Sequence, residues 1–195
     1  MNVILPGKIL APYVEAYYIS SDLGQASLSI HFPAISTSYI KFSPTSAVVS
    51  GQATKPMTAA ASFSNVTGLG VKLRAGAFRA LFGIPAHELT DRVVQLEEVL
   101  GNTANELHDQ ITEAPTPVDR IQRFERNFVR FVQRHADSRD VMEQQTVILL
   151  QELSTSQVSK LAERLGYSPR QFQRKLNELI GFSPRLYKRI FRFEK

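Results

Sequence analysis

The sequence predicts an α+β protein: a small N-terminal β-barrel-like domain with helices, followed by an all-α segment. Three observations predict it. Short alternating stretches fill the chain before Arg74, the apolar period lengthens to that of a helix after it, and basic charge gathers at the C-terminal end.

The first 74 residues read as β. Ser27-Leu28-Ser29-Ile30-His31-Phe32 and Leu69-Gly70-Val71-Lys72-Leu73-Arg74 alternate strictly, and Tyr39-Ile40-Lys41-Phe42 is a shorter case. Alternation of period two sends one face of a strand to a core. Turn-rich patches separate these runs, among them Ser20-Ser21-Asp22-Leu23-Gly24, Phe32-Pro33-Ala34, Ser43-Pro44-Thr45-Ser46 and Ser50-Gly51-Gln52. Several short strands with turn signals between them describe a small barrel or sandwich.

Helical periodicity follows. The sequence predicts a short helix over 75–82, ended by Gly83 and Pro85, and another over 103–113 with Leu107 and Ile111 four apart. Pro115 and Pro117 break the chain. Residues 117–135 form a long amphipathic helix with Val118, Ile121, Phe124, Phe128, Phe131 and Val132 on one side, and a further helix covers 141–153. Arg120, Arg123, Arg126, Arg130 and Arg134 recur along the long helix at three- and four-residue spacing and read as a solvated or interdomain face. The small polar patch Ser154-Thr155-Ser156 marks a boundary. The expected organisation is a β-rich domain over 1–112, a helical connector over 113–155 and a helical unit over 156–195.

Composition limits the function classes. Apolar residues make up 43% of 195, enough for a real core. The chain has no cysteine, which removes disulfides, thiolate metal sites and a cysteine nucleophile together and suits a reducing cytoplasm. No apolar run approaches the roughly 20 residues that span a bilayer, so no membrane partner is expected. The net charge is +5, unevenly placed: ten of the 23 basic residues but only three of the 18 acidic ones lie beyond Ser156. A basic end on a near-neutral body suits a polyanion, nucleic acid first, although a solvated helical face carries the same signature.

The basic end holds the most specific motif. Val158, Leu161, Ala162 and Leu165 form one apolar stripe of a short helix, with Ser156 as its expected N-cap. Gly166 supplies a sharp turn. Ser168, Pro169 and Gln171 then make a capping box with proline at the first helical position. In the helix that follows, Phe172, Leu176, Leu179 and Ile180 take one face. Arg170, Arg174 and Asn177, flanked by Gln173, take the other, and Gly181 ends the helix. Arginine can bond bidentately to the O6 and N7 of guanine, and glutamine or asparagine to the N6 and N7 edge of adenine. This is a helix-turn-helix arrangement, in which the first helix and turn seat the second in the major groove. Arg170, Gln173, Arg174 and Asn177 are therefore the expected base contacts, and Ser168, Lys175 and Arg185 the expected phosphate contacts. A third helix begins at Ser183-Pro184, with Leu186, Tyr187, Ile190 and Phe193 on an apolar side and Arg185, Lys188, Arg189, Arg192 and Lys195 on a basic one.

Residues 158–195, VSKLAERLGYSPRQFQRKLNELIGFSPRLYKRIFRFEK, resemble the first half of the DNA-binding domain of AraC/XylS-type transcriptional regulators. The matching features are Leu161-Ala162, Gly166-Tyr167-Ser168, Arg170, Phe172, Arg174, Leu176, Gly181 and Ser183-Pro184. By that resemblance Arg170, Gln173 and Arg174 fall where the family's first recognition helix contacts bases. Two upstream stretches, VVSGQATKP (48–56) and GLGVKLRAGAFRALFGIPAHELTDRVVQLEEVLG (68–101), are similar to the N-terminal domain of one AraC-type subgroup, which is barrel-like in the cupin-like sense. The resemblance implies a bacterial, cytoplasmic regulator that binds double-stranded DNA. Its N-terminal domain would bind a small-molecule effector or form a homodimer. The family's DNA-binding domain has two helix-turn-helix units joined by a long helix, and this chain ends at Lys195 inside what should be the joining helix. The competing expectation is a ligand-binding or dimerising module that does not bind DNA in this truncated form.

Enzyme chemistry finds no support. His31, His87, His108 and His135 share no metal-ligand spacing, and only His31, on an alternating strand, is a residue to watch. Gly68 and Gly70 lie within a strand rather than in a phosphate loop. Ser64 lacks a nucleophile-elbow context. Asp91, Glu97 and Glu98 read as helix-start charges. A small cupin-like enzyme with an accessory tail is the third expectation; no cofactor, metal site or catalytic residue is expected.

Overall fold

The computed structural model describes residues 2–20, 26–63, 68–135 and 157–193. The architecture is α+β. Strands β1 (Asn2–Ile4), β2 (Val14–Ser20), β3 (Ala26–Phe32), β4 (Tyr39–Ser43), β5 (Ser46–Ser50), β6 (Met57–Phe63), β7 (Gly68–Leu73) and β8 (Val93–Gln95) come first. Among the described residues all strand pairings are antiparallel. A six-stranded sheet has the order β1-β2-β7-β4-β5-β8, and β3 pairs with β6 in a separate two-stranded ladder.

The alternation seen in the sequence becomes the burial pattern. Leu69, Val71 and Leu73 of β7 and Ile40 and Phe42 of β4 point to one core, and their neighbours point away. The Ser43-Pro44-Thr45-Ser46 patch is a two-residue hairpin, with Ser43 and Ser46 paired across it. Strand β8 was not expected. It is three residues long, follows Asp91 at φ 58, and pairs with β5 at the sheet edge. Asp91 is thus a turn residue rather than a helix-start charge: it accepts bonds from Thr54 N (2.7 Å) and Thr54 Oγ1 (2.6 Å). Glu97 and Glu98 do lie in the first turn of a helix.

Helices α1 (Ala77–Phe82), α2 (Leu96–Leu100), α3 (Thr103–Thr112) and α4 (Pro117–His135) follow, with a 3-10 helix at Ala86–Leu89. The long helix α4, expected within a connector, gives Ile121, Phe124, Phe128 and Val132 to the same core as the sheet. Phe124 is fully buried there. It stacks on Phe128 (4.0 Å between centroids) and meets Tyr17 and Phe42 edge-on at 5.7 and 6.0 Å. Full burial of one such side chain contributes about 1.5–3 kcal/mol. Glu125, one residue along, accepts bonds from Gly7 N (2.7 Å) and the Tyr17 hydroxyl (3.1 Å). Burial, then the Glu125 carboxylate, pushes the Tyr17 phenol well above its ordinary range.

Three C-terminal helices, α5 (Val158–Arg164), α6 (Pro169–Ile180) and α7 (Pro184–Phe193), surround a second apolar cluster of Leu161, Ala162, Phe172, Leu176, Leu179, Ile180, Phe182, Tyr187 and Ile190. Phe193, expected on the apolar side of α7, is instead 81% exposed, and Phe191 packs against the cluster in its place. The expected helix over 141–153 and the boundary patch at 154–156 lie outside the described residues. Among the described residues no helix is long and apolar enough to cross a membrane.

Candidate nucleic-acid interface

Local chemistry sets the α5–α6 geometry. Gln157, with extended backbone, is the N-cap residue of α5, so the cap lies one position later than the expected Ser156. Gly166, at φ 69, makes the turn; a side chain there would be strained, although nothing crowds the position. The expected capping box of α6 is complete: Ser168 Oγ accepts from Gln171 N (3.3 Å), and Gln171 Oε1 accepts from Ser168 N (3.0 Å). Gly181, at φ 77, closes the helix, its N–H donating to the Asn177 carbonyl.

A helix turns about 100° per residue, which places Arg170, Gln173, Arg174 and Asn177 within one arc. All four are exposed, while Phe172, Leu176, Leu179 and Ile180 on the opposite arc are buried. The structure therefore brings the four expected base-contacting residues to one exposed face. The expected phosphate-contacting residues are more scattered. Ser168 is exposed at the start of α6, but its hydroxyl already donates to Gln171 Oε1 (2.9 Å) as part of the cap. Lys175 is half-buried on the flank of the helix and Arg185 is exposed at the start of α7.

Glu178 is the one acidic side chain of α6. Its carboxylate lies 4.0 Å from Arg174 Nε and 3.7 Å from Lys175 Nζ. Sequence reasoning missed this role, although the i, i+4 and i, i+3 spacings were visible. The Ser-Pro start shared by two helices was read from the sequence, but the match between their polar arcs was missed. Ser168-Pro169-Arg170 recurs as Ser183-Pro184-Arg185, and the spacing of Arg170, Gln173, Arg174 and Asn177 recurs in Arg185, Lys188, Arg189 and Arg192. Ser183 Oγ accepts from Leu186 N (3.3 Å), so α7 starts on the same kind of cap. The second set is entirely basic, a composition suited to phosphates rather than base edges.

The C-terminal end of α6 rests on the N-terminal body, formed by the strands and helices α1–α4 around their shared core. The Thr90 hydroxyl donates to the Gly181 carbonyl (3.0 Å), and Leu179 and Ile180 face Phe78 and Ala86 across a narrow cleft. No sequence signal pointed to a contact of Thr90 or its neighbour Gln52 with the end of this helix. The four histidines lie on β3, the 3-10 helix, α3 and the end of α4. Among the described residues no three His, Asp or Glu side chains converge as metal ligands.

Residues 2–95 match a family model described as a domain of unknown function (DUF6597). That match spans the eight strands found among the described residues and stops before α2, leaving α5, α6 and α7 outside it. No curated protein and no solved structure matches the chain.

Proposed function

We propose that this chain is a sequence-specific, DNA-binding transcriptional regulator of AraC type, without enzymatic activity. In this reading α5 and α6 are its helix-turn-helix. Arg170, Gln173, Arg174 and Asn177 read base edges in the major groove, and Arg185 with the basic arc of α7 lies along phosphates. The cupin-like N-terminal body carries the effector-binding or dimerisation role.

One observation carries the reading: α6 exposes two arginines, a glutamine and an asparagine on a single arc, with its opposite arc buried. A solvated helix needs no such grouping of bidentate donors. The test is fluorescence anisotropy against duplex DNA from upstream of the chain's own gene, beside a scrambled duplex, across a salt series. The reading expects a preference for the native duplex that persists at physiological salt. It also expects log affinity to fall with log salt by about 0.9 per phosphate neutralised. Equal, weak binding to both duplexes that vanishes with salt would refute it.

A further inference from the structure

The contact between α6 and the N-terminal body is more than apolar packing. Gln52, 2% exposed, lies in the loop after β5. Its Nε2 donates to the Ala86 carbonyl (2.6 Å) and to Thr90 Oγ1 (2.6 Å), and its Oε1 accepts from Ser38 Oγ (3.4 Å). Thr90 in turn donates to the Gly181 carbonyl at the end of α6 (3.0 Å). Each donor and acceptor has one role: reversing the Gln52 amide would set its oxygen against the Ala86 carbonyl. The relay runs Ser38, Gln52, Thr90, Gly181, from the foot of β4 to the C-cap of α6.

Gly181 is matched to this relay twice over. Its φ of 77 favours glycine, and a Cβ there would fall on the Gln52 amide and the Thr90 hydroxyl. The helix end therefore approaches the body as closely as backbone allows. Meanwhile Arg170, Gln173, Arg174 and Asn177 stay exposed on another side of α6. The body holds the helix without covering its polar face.

We propose that Gln52 and Thr90 are positioning residues for α6: they fix its C-terminal end to the N-terminal body, so that body and helix present the polar face to DNA as one unit. The docking stands on the contacts above. Its effect on DNA rests on the reading of α6 given under Proposed function. A polar relay anchored on a buried glutamine has few alternative arrangements, so losing the half-buried Thr90 hydroxyl frees the helix end. No DNA-facing group is lost with it.

The test uses the full chain with Thr90→Val, Thr90→Ser and Gln52→Ala. Thr90→Val keeps shape and removes the hydroxyl that accepts from Gln52 and donates to Gly181; Thr90→Ser keeps that hydroxyl and serves as rescue; melting temperatures confirm that each variant folds. Two readouts are taken, hydrogen exchange of the α6 C-terminal amides and affinity for native and scrambled duplexes. The proposal expects faster exchange in Thr90→Val and Gln52→Ala. It also expects about a tenfold loss of affinity for the native duplex, with an unchanged salt slope, and near wild-type behaviour in Thr90→Ser. Unchanged exchange in Thr90→Val would overturn the docking. Faster exchange with unchanged affinity for the native duplex would overturn the positioning role. If the wild type shows no preference between duplexes while Thr90→Val exchanges faster, the docking is supported and the DNA reading of α6 is what fails.

Discussion

The N-terminal body and the three C-terminal helices are both closed around apolar cores, but they place charge differently. In the body, charged groups tie the chain to itself. Glu125 gathers Gly7 and Tyr17, Glu15 holds Lys72 at 2.8 Å, and Asp91 takes both donors of Thr54. On α6 and α7 the basic residues stand mostly exposed, and Glu178 is the one acid set against those of α6. Charge paired within the chain fixes a fold. Charge arrayed outward on one arc of a capped helix suits a partner of opposite sign.

The contrast can be broken from either side. The largest expected effect is in the body. Phe124→Ala removes a fully buried ring from the centre of the aromatic cluster and should cost ~3–5 kcal/mol in denaturant unfolding. A loss below ~1 kcal/mol would mean that the α4–sheet contact is not the core it looks to be. On the outward side, Arg174→Ala should weaken specific DNA binding by ~1–3 kcal/mol while changing unfolding by no more than ~0.5 kcal/mol. Equal affinity of wild type and variant for a selected site would remove Arg174 from the reading face.

Two smaller effects sharpen the comparison. Tyr17→Phe deletes a buried hydroxyl bonded to Glu125 and should cost ~1 kcal/mol at neutral pH. The folded protein holds the Tyr17 phenol neutral above its ordinary value, through burial first and Glu125 second. That contribution is full below the unfolded value of about 10 and is lost as pH rises past it. Wild type should therefore lose more stability than Tyr17→Phe between pH ~9 and ~11, and parallel pH profiles would contradict this. The smallest effect belongs to Glu178→Gln. It releases Arg174 and Lys175 from a partly exposed counter-charge worth ~0.3–0.5 kcal/mol, so DNA affinity should rise about twofold. A fall in affinity would assign Glu178 a supporting role instead.

How much of this was legible in the sequence follows from how local each cause is. The α6 helix could be read almost to the residue, because Ser168, Pro169, Gln171 and Gly181 act within a turn of its ends and its apolar residues keep one period. Strands β4 and β7 were legible through alternation. Strand β8 was not: three residues are too few to show a period, and its place depends on pairing with β5. Phe193 shows the limit of periodicity near a helix end, where a residue in phase with the stripe can run past the core that the stripe serves. The relay through Gln52 and Thr90 left no trace at all. Its members are 14 to 91 residues apart, and glutamine or threonine in a loop is ordinary until the fold brings the loop to a helix cap.

The central claim is that one arc of α6 reads base sequence. The most direct test is selection of binding sites from a random duplex library by the full chain, run beside Arg174→Ala. The account predicts that wild type enriches a short motif containing guanine, and that Arg174→Ala relaxes one position of it while keeping the others. A wild-type pool that stays random after selection, or a motif identical for both proteins, would contradict it.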